Sequence, residues 1–456
     1  MAGKVTFTSV VKNRGFRYLW LNQILVQLSY NTLNFALIIW VFKLTDSNLA
    51  VSLLLLTIYL PAFIFGVFAG VFADISDKRS IIRMIDILLA VSILMFVFIK
   101  GSYGLILLDT FLINALGQFF IPTESSSIPM LVKKGQLFLA NSLFTLTLYG
   151  SFMVGFSIAG PMLNIYGINS IFYLGAVAMT VAFLLSQNLP NIKAVVVHKK
   201  YEQFAFSNFS YMVKLTVEET RSTLKYIRGK LNIMVSIGLL ATLQGGIGVL
   251  AVIMPSYMER VLRIHATDAS FVLMLPLGAG MMIGALLIGR WGYLLPRRKL
   301  VIPAIVVSGI LLFLAGMTPV IAHLINAADL PARVPHPRFF FRAPSLSFLF
   351  GVGSFLLGVA AVAIIVPAQT IIQESTGEAI RGKIFSVLAV MMNLFAALPV
   401  LLAGVVADLF GVTPIFVFMG AMIFIIGLLA LKPQFFFEEK HLPLSLREFL
   451  GLGHWG

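Results

Sequence analysis

Twelve separate apolar windows, each long enough to cross the hydrocarbon core of a bilayer as a helix, constrain this chain more than any other feature. They lie near residues 19–42, 49–73, 81–99, 103–123, 140–164, 167–188, 231–255, 269–290, 299–325, 345–368, 383–408 and 411–431. The composition agrees: 59% of the residues are hydrophobic, 11% are charged and the mean hydropathy is +0.98. That balance belongs to an integral membrane protein. Forty Phe suit lipid-facing surfaces, and 37 Gly let helices approach closely where the solvent supplies no hydrophobic drive for association. The net charge of +15 reads as basic loops that set topology rather than as a nucleic-acid surface. Cysteine is absent and the six His are scattered, so disulfides, thiolate sites and metal clusters are not expected.

The windows are arranged as six, a polar stretch, and six. The expected organisation is a bundle over 1–190, a linker over 191–230, a second bundle over 231–432 and a tail over 433–456. With the N-terminus inside, the cytoplasmic connections collect 26 of the 33 Lys and Arg, among them Lys4, Lys12, Arg14, Arg17, Lys78, Arg79, Arg83 and Arg297 to Lys299. The other side keeps Lys43, Lys100, Arg260, Arg263, Arg333, Arg338 and Arg342. This skew places both termini in the cytoplasm. The apolar segment behind the basic N-terminus is too long for a signal peptide and lacks a cleavage site, so it reads as a retained first span. In the linker, Val217, Leu224, Ile227 and Leu231 recur at roughly helical spacing, which predicts a helix on the cytoplasmic surface. The outer loop 327–344, rich in Pro and Arg, departs locally from the charge rule.

Between the second and third windows the chain reads "GVFADISDKRS". Gly66 and Gly70 have the spacing that admits a close neighbouring helix. Asp74 follows at the helix end, where a carboxylate can accept hydrogen bonds from the N-terminal N–H groups of an adjacent helix; Lys78 and Arg79 can pair with acids or lipid phosphate. The stretch resembles the loop between spans two and three of the major facilitator superfamily, written G-x-L-A-D-R-x-G-R-K. Gly70, Ala73, Asp74, Lys78 and Arg79 match it, while Phe72, Ile75 and Asp77 depart. An acid at the position of Asp77 resembles the branch that holds the enterobactin exporter and macrolide efflux pumps. "RGFRYLWLNQ", "PTESSSIPMLV", "EETRSTLKYIRGKLN" and "VPAQTIIQESTGEAIRGKIFS" resemble that branch in the same order. The resemblance implies an all-α membrane protein of twelve transmembrane helices in two six-helix bundles, in the cell (inner, cytoplasmic) membrane of a bacterium. It also implies internal repeats: "GRWGYLLPRRK" occupies the loop equivalent to the opening one, with Arg297, Arg298 and Lys299 but no counterpart of Asp74. Gly70, Asp74, Asp77, Lys78, Arg79, Arg297 and Arg298 are the candidate gating residues.

Polar side chains inside spans are costly and tend to face a cavity or a partner helix. Gln23, Gln27, Tyr30, Asn31 and Asn34 share one face of span one and read as the wall of a water-filled pathway. Thr110, Asn114 and Gln118 form a stripe in span four; Asn141, Thr145 and Tyr149 form another in span five. Gln244 lies in span seven beside Gly245 and Gly246, and Asn393 in span eleven. The resemblance places these helices around a central cavity, which makes Gln23, Gln27, Tyr30, Asn31, Asn34, Asn114, Gln118, Tyr149, Gln244 and Asn393 the candidate substrate-binding set.

An intramembrane carboxyl can bind and release a proton over a transport cycle. Asp109, toward the outer part of span four, is the candidate coupling acid; it lines up with Ile113, Leu116 and Phe120 rather than with Asn114 and Gln118. Asp86 and Glu124 lie near cytoplasmic ends, and Asp86 is three residues from Arg83, which predicts a local ion pair. Span one carries no acid, and Ile113 stands where many relatives have an arginine. Gly155, Gly160 and Pro161 match part of the antiporter signature of span five, and a kink at Pro161 would account for them as well.

A phosphate-binding glycine loop with Lys and Ser/Thr is missing, as are nucleophile motifs and metal-ligand spacings. The expected function is therefore secondary transport by alternating access, with no covalent chemistry and no cofactor. Efflux of an amphiphilic small molecule is favoured, with protons as the candidate coupling ion, membrane lipids as the surroundings and a monomer as the assembly. The alternatives are a lipid or lysophospholipid carrier and a facilitator without proton coupling. An intramembrane enzyme would need a polar catalytic cluster at one depth, and a receptor without transport would have no use for the intact gating loop.

Overall fold

The computed structural model describes residues 7–99, 101–192, 221–291, 295–320, 346–376 and 378–431. Among these residues all regular structure is helical, and twelve helical stretches are long and apolar enough to cross a membrane. Their helices are α1 (Arg14–Thr45), α2 (Asn48–Ile75), α3 (Lys78–Ile99), α4 (Tyr103–Leu131), α5 (Leu137–Tyr166), α6 (Ile168–Ser186), α7 (Leu231–Ser256), α8 (Leu275–Trp291), α9 (Arg297–Gly316), α10 (Leu346–Glu374), α11 (Glu378–Phe410) and α12 (Thr413–Leu431). The eighth stretch runs over Ala266–Arg290 and takes in α8 together with the short turns before it. The expected windows thus become helices, several of them longer than the apolar run because polar ends extend past it. Short connections turn through the left-handed region at Gly101, Gly167 and Gly411, where a side chain would be strained.

The chain forms two compact units. Unit 1 comprises residues 1–44, 53–224 and 385–394; unit 2 comprises 45–52, 225–384 and 395–456. The outer loop 327–344, the tail 433–456 and Val217 lie outside the described residues. Of the predicted linker helix, residues 221–228 are helical, and Ile227 is buried. Tyr226 Oη and Lys230 Nζ both donate to the Ser375 carbonyl, at 3.3 and 2.7 Å.

In unit 1, Asp77 caps α3 by accepting the Ser80 N–H at 3.1 Å. Arg79 donates to the Gln187 carbonyl at 2.6 Å and to Asn191 Oδ1 at 2.8 Å, while Arg83 donates to the carbonyls of Ser186 and Gln187. Cations at the start of α3 thus satisfy the last carbonyls of α6, the negative end of that helix. Further along the same pair, Phe96 stacks on Phe172 with ring centroids 5.1 Å apart.

Unit 2 repeats the device. Arg298, in the first turn of α9, donates to the carbonyls of Ala430 at 3.3 Å and Leu431 at 2.8 Å, which end α12. The α9–α12 pair closes on Gly309, Gly316, Gly420 and Gly427, and α8 meets α10 at Gly280, Gly284 and Gly358; at each a methyl would press on the other helix. Tyr257, at the end of α7, is buried and bonded to the Ala315 carbonyl and to Thr318 Oγ1, both at 2.8 Å. Replacing Arg298 with Ala should cost about 1 kcal/mol through the uncapped carbonyls. Thermal melts of the detergent-solubilised protein should show the loss; an unchanged melting temperature would remove Arg298 from the account of how α12 ends.

Candidate functional site

In unit 1, α1 carries the polar face. Gln23 is buried and donates to the Phe144 carbonyl at the long distance of 3.5 Å. Tyr30 Oη donates to the Ile113 carbonyl at 2.8 Å. The ring can reach it because residue 117 on α4 is Gly: a methyl there would lie 2.7 Å from Tyr30 Oη. Gly155 of α5 plays the same part for Asn31, whose Cβ would stand 2.9 Å from an added methyl. Gln27, Asn31 and Asn34 on this face are half-buried and make no hydrogen bond among the described residues, and the same holds for Gln118 on α4 and Tyr149 on α5. Asn114 is buried and turned back onto its own helix, donating to the Thr110 carbonyl at 2.8 Å; Asn393 does likewise to the Ala389 carbonyl at 2.9 Å. Asn141 and Thr145 are exposed. In unit 2, Gln244 is half-buried and unbonded among the described residues.

These side chains fall into two groups. Gln23, Tyr30, Asn114 and Asn393 already have partners and hold helices or their own turns. Gln27, Asn31, Asn34, Gln118, Tyr149 and Gln244 keep donors and acceptors unused, which inside a span is expensive unless water or a ligand meets them.

Asp109 is 3% exposed, and neither carboxyl oxygen has a hydrogen-bond partner. It shares the interior of unit 1 with Ile113 and Phe120, as its helical alignment predicts. The expected Asp86–Arg83 ion pair is not formed. Arg83 is drawn to the carbonyl end of α6, and Asp86 instead accepts from Asn22 Nδ2 at 2.7 Å. Asn22 lies one position off the polar face read from α1.

The gating residues also sort differently from expectation. Lys78 is 3% exposed and donates to the Ala73 carbonyl at 3.0 Å, so it closes the α2–α3 turn rather than meeting an acid or lipid. A methyl on Gly66 would touch Val390 and stand 3.9 Å from Gln118 Oε1, whereas at Gly70 it would meet nothing within 4 Å among the described residues. Arg297 pairs with Glu374. The Asp74 side chain lies outside what the structure describes.

A carboxylate on a helix N-terminus, expected of Asp74, is present at Asp408 in unit 2. Its oxygens accept from Ser47 Oγ at 2.6 Å, Asn48 N–H at 2.8 Å, Asn48 Nδ2 at 2.9 Å and Leu49 N–H at 3.0 Å, the opening turn of α2. Beside it Arg260 pairs with Asp46 at 2.6 Å. The sequence signal was available: "TDSN" between spans one and two is a cap signature, and Asp408 is an acid in the last turn of span eleven.

Twelve crossing helices with unused polar groups among them define a polytopic membrane carrier. The Major Facilitator Superfamily profile matches residues 19–318 and 237–446, and the chain belongs to that superfamily. It is a multi-pass transporter of the cell membrane, and its relatives are bacterial. The chain is 21% identical over 419 residues to macrolide efflux protein A of Streptococcus pyogenes, covering 91% of this chain and 94% of that one. It is 24% identical over 397 residues to the MFS-type transporter YfiS of Bacillus subtilis (strain 168), covering 86% of each. The fold is similar to that of a crystallised D-xylose-proton symporter, with a TM-score of 0.68, 12% identity and coverage of 96% and 99%. It is equally similar to a POT family transporter in complex with 5-aminolevulinic acid, with a TM-score of 0.68, 14% identity and coverage of 92% and 96%.

Proposed function

We propose that this transporter exports an amphiphilic small molecule by alternating access of its bundles 1–190 and 231–432, in exchange for protons. The observation that carries the reading is the set of unbonded, half-buried groups in the spans, Gln27, Asn31, Asn34, Gln118 and Tyr149 in unit 1 and Gln244 in unit 2. Each offers an amide or hydroxyl group without a fixed charge, which suits a ligand with scattered polar groups on an apolar body. The likeness to macrolide efflux protein A supports the outward direction. Asp109, buried without a partner, is the acid on which a proton would ride, and Asp74 would steady one conformation through the opening loop.

Uptake of a fluorescent amphiphile into proteoliposomes, with an imposed pH gradient or with the gradient collapsed, tests this. Gradient-driven accumulation that is lost in Asp109→Asn is the expected result, and Asp74→Asn should turn over more slowly at unchanged affinity. Transport that ignores the gradient would sink proton exchange; movement of labelled lysophospholipid in preference to the dye would replace the substrate class.

A further inference from the structure

Unit 1 holds a second set of buried acids, away from Asp109. Asp86 on α3 is 0% exposed and Glu124 on α4 is 4% exposed. Asn22 on α1, also 0% exposed, donates through Nδ2 to Asp86 Oδ2 at 2.7 Å and to the Ala182 carbonyl of α6 at 3.0 Å. The three residues lie in one layer. Asn22 and Asp86 are each eight positions into helices that start at this end, and Glu124 is seven positions before the end of a helix that finishes there. At 1.5 Å per residue that is about 10–12 Å of depth for all three. Helices α3 and α4 pack together, so the two acids lie on neighbouring helices at one depth.

The hydrogen-bonding balance of this layer is one-sided. Asn22 Oδ1, Asp86 Oδ1 and Glu124 Oε1 are all buried acceptors without a donor. Among the described residues no cation pairs with these acids. Arg83, one turn from Asp86, is committed to the carbonyls of Ser186 and Gln187; Arg79 is committed to Gln187 and Asn191; Lys78 is committed to Ala73. On α6 the Ser186 hydroxyl donates to the Phe183 carbonyl at 2.7 Å, and the Ala182 carbonyl accepts from Asn22 Nδ2 at 3.0 Å. Two carboxylates and an amide oxygen closed off from water, with a single N–H between them, require a positive partner. A proton is the partner that fits a layer closed by packed side chains, because it neutralises a buried carboxylate and supplies a missing hydrogen-bond donor.

We propose that Asp86, Glu124 and Asn22 form a proton-binding site at the end of unit 1 where α1 and α3 begin. The proton comes from the aqueous phase and forms an O–H bond to one of the two carboxyl groups; its release restores the carboxylate. Asp109 and Glu124 sit on the same helix, about 22 Å apart along its axis, so the two sites are separate.

The test needs no transport and is independent of the substrate. Infrared spectra of the purified full-length protein are recorded as a function of pH, following the carbonyl band of protonated carboxyl groups. A band that titrates in the wild type and in Asp109→Asn, moves its midpoint by about one pH unit in Asp86→Asn or Glu124→Gln, and vanishes in the double variant is the expected result. A double variant with the wild-type band, or single variants whose midpoints do not move, overturns the proposal. Sodium is compared with choline in the same samples: a band abolished by sodium, together with sodium-dependent thermal stabilisation that the double variant lacks, would assign the site to a metal ion instead. If the double variant is not recovered folded, Asn22→Ala keeps both carboxyl groups and should shift the midpoint; an unmoved midpoint overturns the shared site. Failure of proton-driven export with this titration intact would count against the transport reading alone.

Discussion

Gly420→Leu is expected to cost several kcal/mol and to leave little folded protein in detergent. Helices α9 and α12 meet backbone to backbone at this position. A Cβ added to Gly420 would stand 2.3 Å from the Phe313 nitrogen and 2.9 Å from the Gly309 carbonyl oxygen. The obstruction is main chain, so no rotamer change relieves it, and the helices would have to part. In lipid the association of spans depends on close packing, and a gap of about 0.5–1 Å forfeits a quarter to a half of each dispersion contact across it. Overpacking in a core costs about 1–3 kcal/mol in general, and a backbone-limited contact stands above that range. Gly420→Ala should fall between the wild type and Gly420→Leu. Gly246→Ala, where a methyl meets nothing within 4 Å, is the control. Size-exclusion profiles after a heating series report the result, and a Gly420→Leu protein that melts with the wild type would dismiss the glycine seam.

Asp408→Ala is the second large effect. One carboxylate serves two backbone N–H groups of the first turn of α2 and two side chains, Ser47 and Asn48. Ser47 in turn accepts the Ala50 N–H at 3.2 Å, so the whole cap is organised around the acid. Loss of an N-terminal cap costs about 0.5–2 kcal/mol. The charge adds to this at the positive end of the helix, with the gain reduced because Asp408 is solvent-exposed. A total near 2 kcal/mol is expected, seen as a lower melting temperature, with Asp408→Asn retaining part of it because an amide oxygen still accepts. The dependence on salt separates the terms: high ionic strength should narrow the difference between Asp408 and Asn. Equal stability of Asp408→Ala and wild type would contradict this reading.

The windows of apolar residues translated directly into α1 to α12, because hydropathy summed over some twenty residues is indifferent to what each residue touches. Longer-range expectations fared unevenly. The three-residue spacing of Arg83 and Asp86 is correct for a local ion pair, yet the free carbonyls at the end of α6 compete for the guanidinium, and Asn22 takes the carboxylate. Gly66 and Gly70 have the same spacing rule behind them, but among the described residues a methyl would meet a neighbour at Gly66 and none at Gly70. Tyr30 reads as part of a cavity wall from its helical face; the Ile113 carbonyl and the Gly117 notch engage its hydroxyl within unit 1. Gln27, Asn31, Asn34, Gln118 and Tyr149 are half-buried and make no hydrogen bond among the described residues, a property that helical spacing alone does not specify.

Helix number, helix type and membership of the superfamily are properties of residue order: they follow from local hydropathy, turn residues and the succession of short motifs, each readable within about thirty residues. The pairing of polar groups is not. Asn22 finds Asp86 and Ala182, Arg298 finds the end of α12, and Asp408 finds the start of α2 only when helices distant in the chain are set at a given depth and rotation about their axes. A rotation of one residue, about 100°, moves a side chain from a partner helix to lipid without changing its hydropathy window. For that reason the membrane span is written in one dimension, and the buried acid layer at Asp86 and Glu124 exists only in three.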